Sequence, residues 1–177
     1  MKTTRVALMF ISIFFLACKS SPQEEEIGNQ IWMTENLNID HFRNGDPIPE
    51  ARTAEEWIKA GENNQPAWCY YENRTVQDDP DNGTKYGKLY NWYAVNDRRG
   101  LAPKGWHIPT DDEWTILTNY LGGEDVAAKK LKSKTGWKEN GNGSNKSGFN
   151  GLPSGYRHPT LEMPYNLGQS GLWWTTS

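Results

Sequence analysis

"GWHIPTDDEWTILTNYLGG", residues 105–123, is the stretch that decides the fold of this 177-residue chain. Pro109 biases Ile108 towards an extended backbone, so a helix cannot start earlier. Thr110 then stands as N-cap, and Glu113 completes the capping-box spacing. In that box the hydroxyl accepts from the third amide and the carboxylate reaches back to the cap amide. Asp111 and Asp112 fall on the positive end of the helix dipole. Trp114, Leu117 and Leu121 recur at intervals of three and four, which makes one face apolar. Gly122 and Gly123 supply the stop. The stretch predicts a scaffold helix, with any binding or chemistry placed elsewhere.

Working outward, the same helix start occurs earlier in "RTAEEWIKAGENN". There Thr53 and Glu56 have the capping-box spacing, Trp57 is predicted to face the core and Gly61 to end a short helix. A further helix is expected over residues 125–134, with Val126, Ala127 and Leu131 inward and its lysines forming a solvated face. "GNQIWMTENLNI" (28–39) alternates Ile31 and Met33 with Gln30 and Trp32 and reads as the first strand. "PAWCYYENR" (66–74) is β-prone, and "KLYNWYAV" (88–95) reads as a strand or a short helix. "DDPDNGTKYG" (78–87) is turn chemistry. "GWKENGNGSNKSGFNGLPSGYR" (136–157) is a long Gly- and Asn-rich loop leading to a short β-type segment, and "GLWWTTS" (171–177) starts another strand. Loops of such length without secondary structure are usually functional or disordered.

The N-terminus sets the expected compartment. Lys2 and Arg5 precede an apolar run from Val6 to Ala17, broken only by Ser12. The run is too short for a spanning helix and has the length of a signal-peptide core. It ends in "FLAC", which resembles a lipobox with Phe15 where leucine is usual. Residues 1–17 are therefore read as a lipoprotein signal peptide, Cys18 as the lipidated residue carrying palmitate-type chains, and 18–27 as a flexible tether. The expected place is the bacterial cell envelope, with the lipid in the outer membrane and the domain (28–177) exposed at the surface. The acidic run Glu24–Glu26 resembles a surface-export signal.

Composition excludes some functions. Without Lys2 and Arg5 the net charge falls from −3 to −5, and no basic stripe is visible, so no nucleic-acid partner is expected. His41, His107 and His158 are scattered without metal-ligand spacing, and neither a nucleophile elbow nor a phosphate loop occurs. No metal, no cofactor and no enzymatic activity are expected. Asp78, Asp79, Asp81 and Asn82 offer oxygen ligands in one turn, but calcium wants six to eight, so the turn reading is preferred. Cys69, flanked by aromatics, reads as a buried thiol or one lacking its partner. All nine tryptophans follow the signal segment. In and beside the long loop, Trp137, Asn140, Asn142, Asn145 and Tyr156 combine rings that stack on sugar faces with amides that bond hydroxyls. A non-catalytic carbohydrate-binding module is the first expectation, and a protein-binding adhesive module the alternative.

"QIWMTENL", "YGKLYNWYAV", "LAPKGWHIPTDDEW", "GFNGLPSGYR" and "WWTTS", in this order, resemble the Fibrobacter succinogenes major paralogous domain over about residues 28–177. That family is similar to the formylglycine-generating sulfatase-modifying group, whose helix start "HIPTDDEW" resembles. The resemblance implies an α+β, C-type-lectin-like fold: two helices packed on a small twisted antiparallel sheet, with long irregular loops. It also implies closing strands, one with a cysteine, beyond the position of Ser177. The chain is accordingly expected to be incomplete at its C-terminus, with an exposed sheet edge that invites association. The cysteine pair of the formylglycine-generating relatives has no counterpart here, so their activity is not carried over.

Overall fold

A computed structural model describes residues 23–71, 82–160 and 164–176. In chain order the elements are β1 (Glu24–Ile27), β2 (Gln30–Met33), α1 (Ala54–Glu62), β3 (Trp68–Cys69), β4 (Leu89–Tyr90), α2 (Trp92–Val95), α3 (Asp111–Tyr120), α4 (Glu124–Leu131), β5 (Tyr156–Arg157) and β6 (Pro164–Tyr165). The class is α+β. Among the described residues there are three two-stranded antiparallel sheets, β1–β2, β3–β4 and β5–β6, and four α-helices, rather than two helices on one sheet.

Both capping boxes form. Glu113 N donates to Thr110 Oγ1 at 3.2 Å and Thr110 N donates to Glu113 Oε2 at 2.8 Å. In α1, Glu56 N donates to Thr53 Oγ1 at 3.1 Å and Thr53 N to Glu56 Oε2 at 3.3 Å. Trp57 is buried, and its Nε1 donates to the His158 carbonyl at 3.1 Å, which ties the helix to the far end of the chain. α1 runs past Gly61 to an Asn63 C-cap, and the left-handed position falls on Asn64 (φ 56°), a residue whose short amide tolerates that conformation. α3 ends as expected, with Gly122 at φ 103° and Gly123 at φ 92°.

Three further expectations change. Glu24–Glu26, expected in the tether, form β1. Register Glu25↔Trp32 and Ile27↔Gln30 closes a hairpin over Gly28-Asn29, and buried Ile27 anchors it while the three glutamates stay exposed. "KLYNWYAV" is both predicted elements in succession, β4 and then α2. Asn91 makes the switch, its Oδ1 accepting from the amides of Ala94 and Ala67 at 3.0 Å each. α4 spans Glu124–Leu131, shorter than expected, because Lys132 turns extended (φ −62°, ψ 140°) and bridges to Gly151. Ala127 points inward as expected, but Val126 is 46% exposed.

Two apolar clusters organise the packing. One gathers Phe42, Ile48, Trp68, Tyr90, Ala94, Val95 and Leu101 around β3, β4 and α2. The other gathers Ile27, Leu117, Leu121, Ala127 and Phe149 under α3 and α4, with Trp32 and Trp114 packed against it. A smaller group holds Trp57 and Cys69. Trp173 packs on the second cluster, its ring 5.5 Å from Phe149 and 6.3 Å from Trp114. Trp174 turns to the first, its ring 5.8 Å from Trp92 and its Nε1 donating to Tyr90 O at 2.9 Å. The last described segment therefore runs between the two clusters.

Candidate functional site

The long loop is an ordered structure, and most of its candidate residues are spent on building it. Trp137 is 8% exposed, with Nε1 donating to Ser133 Oγ at 3.0 Å and Gly151 O at 3.2 Å. Lys132 Nζ lies 4.1 Å from its ring centroid. A ring so enclosed offers no face to a sugar. Asn142 Oδ1 accepts from Trp137 N at 3.0 Å, and Asn145 Oδ1 accepts from Asn150 N at 2.8 Å. Asn140 is exposed and holds a left-handed turn (φ 58°). Tyr156, half-buried in β5, faces Tyr165 with ring centroids 6.0 Å apart. Trp137 and Asn142 meet through their bond, and no contact joins either to Tyr156 among the described hydrogen bonds and ring pairs. Cys18, and Asp78, Asp79 and Asp81 of the turn, lie outside the described residues.

What converges instead is a cleft of about 890 Å³ between the two apolar clusters. Five of the nine tryptophans line it: Trp32, Trp106, Trp114, Trp173 and Trp174. Leu37, Tyr90, Val95, Leu101 and Ile108 form the wall from the first cluster, and Phe149 joins Trp32 and Trp114 in the wall from the second. Of the sequence candidates only Tyr156 reaches it. Trp114 Nε1 is buried without a hydrogen-bond partner among the described residues. The opening is marked by Trp173 and Trp174, 37% and 45% exposed, and by Leu172 at 63%.

Charged groups at the cleft are few, and several are engaged. Glu113 Oε1 meets His107 Nε2 at 2.7 Å. The Thr110 amide, with His107 adding to it, holds the Glu113 carboxyl below its ordinary value. Lys88 donates to Asn38 Oδ1 at 2.7 Å and lies over Trp68 and Tyr70, 4.4 and 5.1 Å from the centroids, and burial pushes its ammonium value down. Away from the cleft, burial raises the Cys69 thiol to about 12, so it is an inert core group. His41 pairs with Asp40 at 2.6 Å, and His158 Nδ1 accepts from Thr160 N at 3.3 Å. Among the described residues, no group of three His, Cys, Asp or Glu side chains is placed to hold a metal ion, and no helix is long and apolar enough to cross a membrane.

Sequence reasoning missed the cleft because its tryptophans are far apart in the chain. The available signal was "GLWWTTS", an aromatic pair in an extended segment, which puts one indole on each face. A family model described as the Fibrobacter succinogenes major domain matches residues 26–177. No curated protein and no solved structure matches the chain.

Proposed function

The chain belongs to the Fibrobacter succinogenes major domain family, and from that premise we propose that it is a lipid-anchored, non-catalytic binding module of the bacterial cell envelope whose ligand sits in the aromatic cleft. The observation that carries this reading is the cleft itself, about 890 Å³ walled by five tryptophans. Binding sites are typically concave and mostly apolar, with a few polar groups for orientation. The His107–Glu113 pair at the cleft supports a non-catalytic role, because Glu113 is also held by the Thr110 amide and hydroxyl as part of the helix cap. A C-type-lectin-like arrangement suits the same reading, since helices capped as firmly as α1 and α3 leave the connections to bind.

Of the two ligand classes the sequence suggests, polypeptide is better supported than carbohydrate. Trp137, Asn142 and Asn145 of the long loop are taken up in bonds within it, and the cleft is mostly apolar and lined by five tryptophans. Carbohydrate keeps one observation in its favour, the exposed indole faces of Trp173 and Trp174 beside Tyr156. Tryptophan fluorescence tests the site. Titration with a panel of peptides and of oligosaccharides is expected to shift the emission with one class, and Trp174→Ala to remove the shift. Indifference to both classes would end the reading. The anchor is tested separately: labelled palmitate is expected to enter the intact precursor and not Cys18→Ser. Outer-membrane placement with surface exposure predicts that protease added to whole cells removes the domain.

A further inference from the structure

We propose that the lysine face at the end of α4 docks on the anionic headgroups of the membrane that holds the anchor, and so fixes how the domain is presented. This rests on the lipid-anchor reading above. Residues 129–146 hold six lysines and one acidic residue, Glu139, in a chain whose net charge is −3. Sequence alone reads these lysines as solvated. The fold draws them together, because the loop doubles back on the end of α4. Ser144 N donates to Lys129 O at 2.7 Å, Asn145 N to Lys132 O at 3.0 Å and Ser147 Oγ to Lys130 O at 2.9 Å. Lys146 is thereby returned to the helix end. Lys130 Nζ donates to the Leu121 carbonyl at 2.8 Å, and Lys132 lies over Trp137. Lys129, Lys134, Lys138 and Lys146 are exposed, and none of them has an ion pair among the described residues.

Position relative to the anchor selects the partner. Gln23 is fixed to the domain, its carbonyl accepting from Thr34 N at 3.0 Å. Cys18 stands five residues before it, a reach of about 18 Å at full extension. A compact domain of this length is roughly 40 Å across, so the domain cannot turn freely and the surface around Gln23 stays near the headgroups. Gln23 and Glu25 share one surface pocket with Asn145 and Gly148, which flank Lys146. A Cβ built on Gly148 would lie 2.6 Å from Glu25 Cγ. The turn that carries Lys146 is therefore beside the point where the anchor enters. The neighbouring carboxylates allow this orientation. Directly opposite residues of a ladder share a face. Glu25, opposite Trp32, thus lies on the packed side of the hairpin, and Glu24 and Glu26 lie on the other. Glu139 accepts from Gln169 Nε2 at 3.2 Å, and Glu124 and Asp125 begin α4, at the end away from Lys129. The four exposed lysines outnumber Glu25 and Glu139, the acidic residues of their own loop and of the strand beside it. Each lysine held near an anionic leaflet raises its occupancy there about fivefold.

The test places the lipidated protein in vesicles of phosphatidylcholine alone, or of equal parts phosphatidylcholine and phosphatidylglycerol. Its lysines are acetylated briefly and read by mass spectrometry. Lys129, Lys134 and Lys146 are expected to react about fivefold or more slowly on the anionic vesicles. Lys59 and Lys104, exposed elsewhere, should react equally on both. Molar salt shortens the screening length to about 3 Å and should remove the difference. Lys146→Glu is expected to cut the protection of Lys129 and Lys134 severalfold while leaving the urea midpoint unchanged. Equal rates on both vesicles overturn the proposal. So does shielding by dextran sulfate with none by the anionic vesicles, which would assign the face to an acidic polysaccharide. The intact mass separates the proposal from its premise. An acylated protein with equal rates loses the docking and keeps the anchor, whereas an unacylated protein loses both.

Discussion

Glu113 shows how much one residue carries. Its carboxylate accepts from the Thr110 amide, the Thr110 hydroxyl and His107. The amide bond to Thr110 is the main reason its value lies below the ordinary one, with His107 contributing. A depressed carboxylate stabilises the fold above its unfolded value, about 4.3, and that stabilisation is lost as pH falls through the lower folded value. Glu113→Gln is therefore expected to cost about 1 kcal/mol near neutrality. The difference should close as pH falls through the lower folded value, as read from urea midpoints at neutral and acid pH. Trp137 is the second residue-scale case. As a core ring bonded to Ser133 and Gly151, it predicts a loss of about 3–5 kcal/mol on Trp137→Ala, measured by denaturant unfolding. A glycan-stacking residue would leave stability nearly unchanged. The sequence shows that Trp137 is aromatic and beside a loop, but both roles have that signature. Only enclosure by Lys132, Ser133 and Gly151 separates them.

At the scale of elements, the helix starts were legible because a capping box is closed within four residues and needs no distant partner. β1 was not. "EEE" has the composition of a tether, and what makes it a strand is pairing with β2 and the burial of Ile27. Glu25→Pro tests this, since Glu25 lies opposite Trp32 in the ladder. A tether would accept proline without effect. The hairpin predicts a loss of about 1–3 kcal/mol, from the missing ladder bond and the ring's misfit. The bridge between Gly155 and Gly171 fixes the approach of the last segment. Gly155 sits at φ 67°, and a Cβ there would lie 2.5 Å from Tyr165 O and 2.7 Å from Tyr71 Cε2. Gly155→Ala should lower the thermal midpoint by an amount equivalent to about 1–3 kcal/mol.

At the scale of the whole molecule, two apolar clusters face each other across a cleft, and the last described segment stands between them. A ligand that fills the cleft binds the folded state alone, so at a hundredfold excess over its Kd it should add about 2.7 kcal/mol. Scanning calorimetry with a ligand that shifts the tryptophan emission is expected to show the rise, and Trp174→Ala to abolish it. By itself the sequence determined the α+β class, both capped helices and the family, and it left residues 88–95 as a strand or a short helix. Each of these rests on short-range pattern: cap spacing, apolar periodicity, turn residues and motif order. Tertiary structure alone decided which tryptophans are core and which line a cleft, that the acidic run is a strand, and that the loop asparagines serve the backbone. Those outcomes depend on partners far away in the chain, and an aromatic ring or an amide has the same local signature whether its partner is its own fold or a ligand.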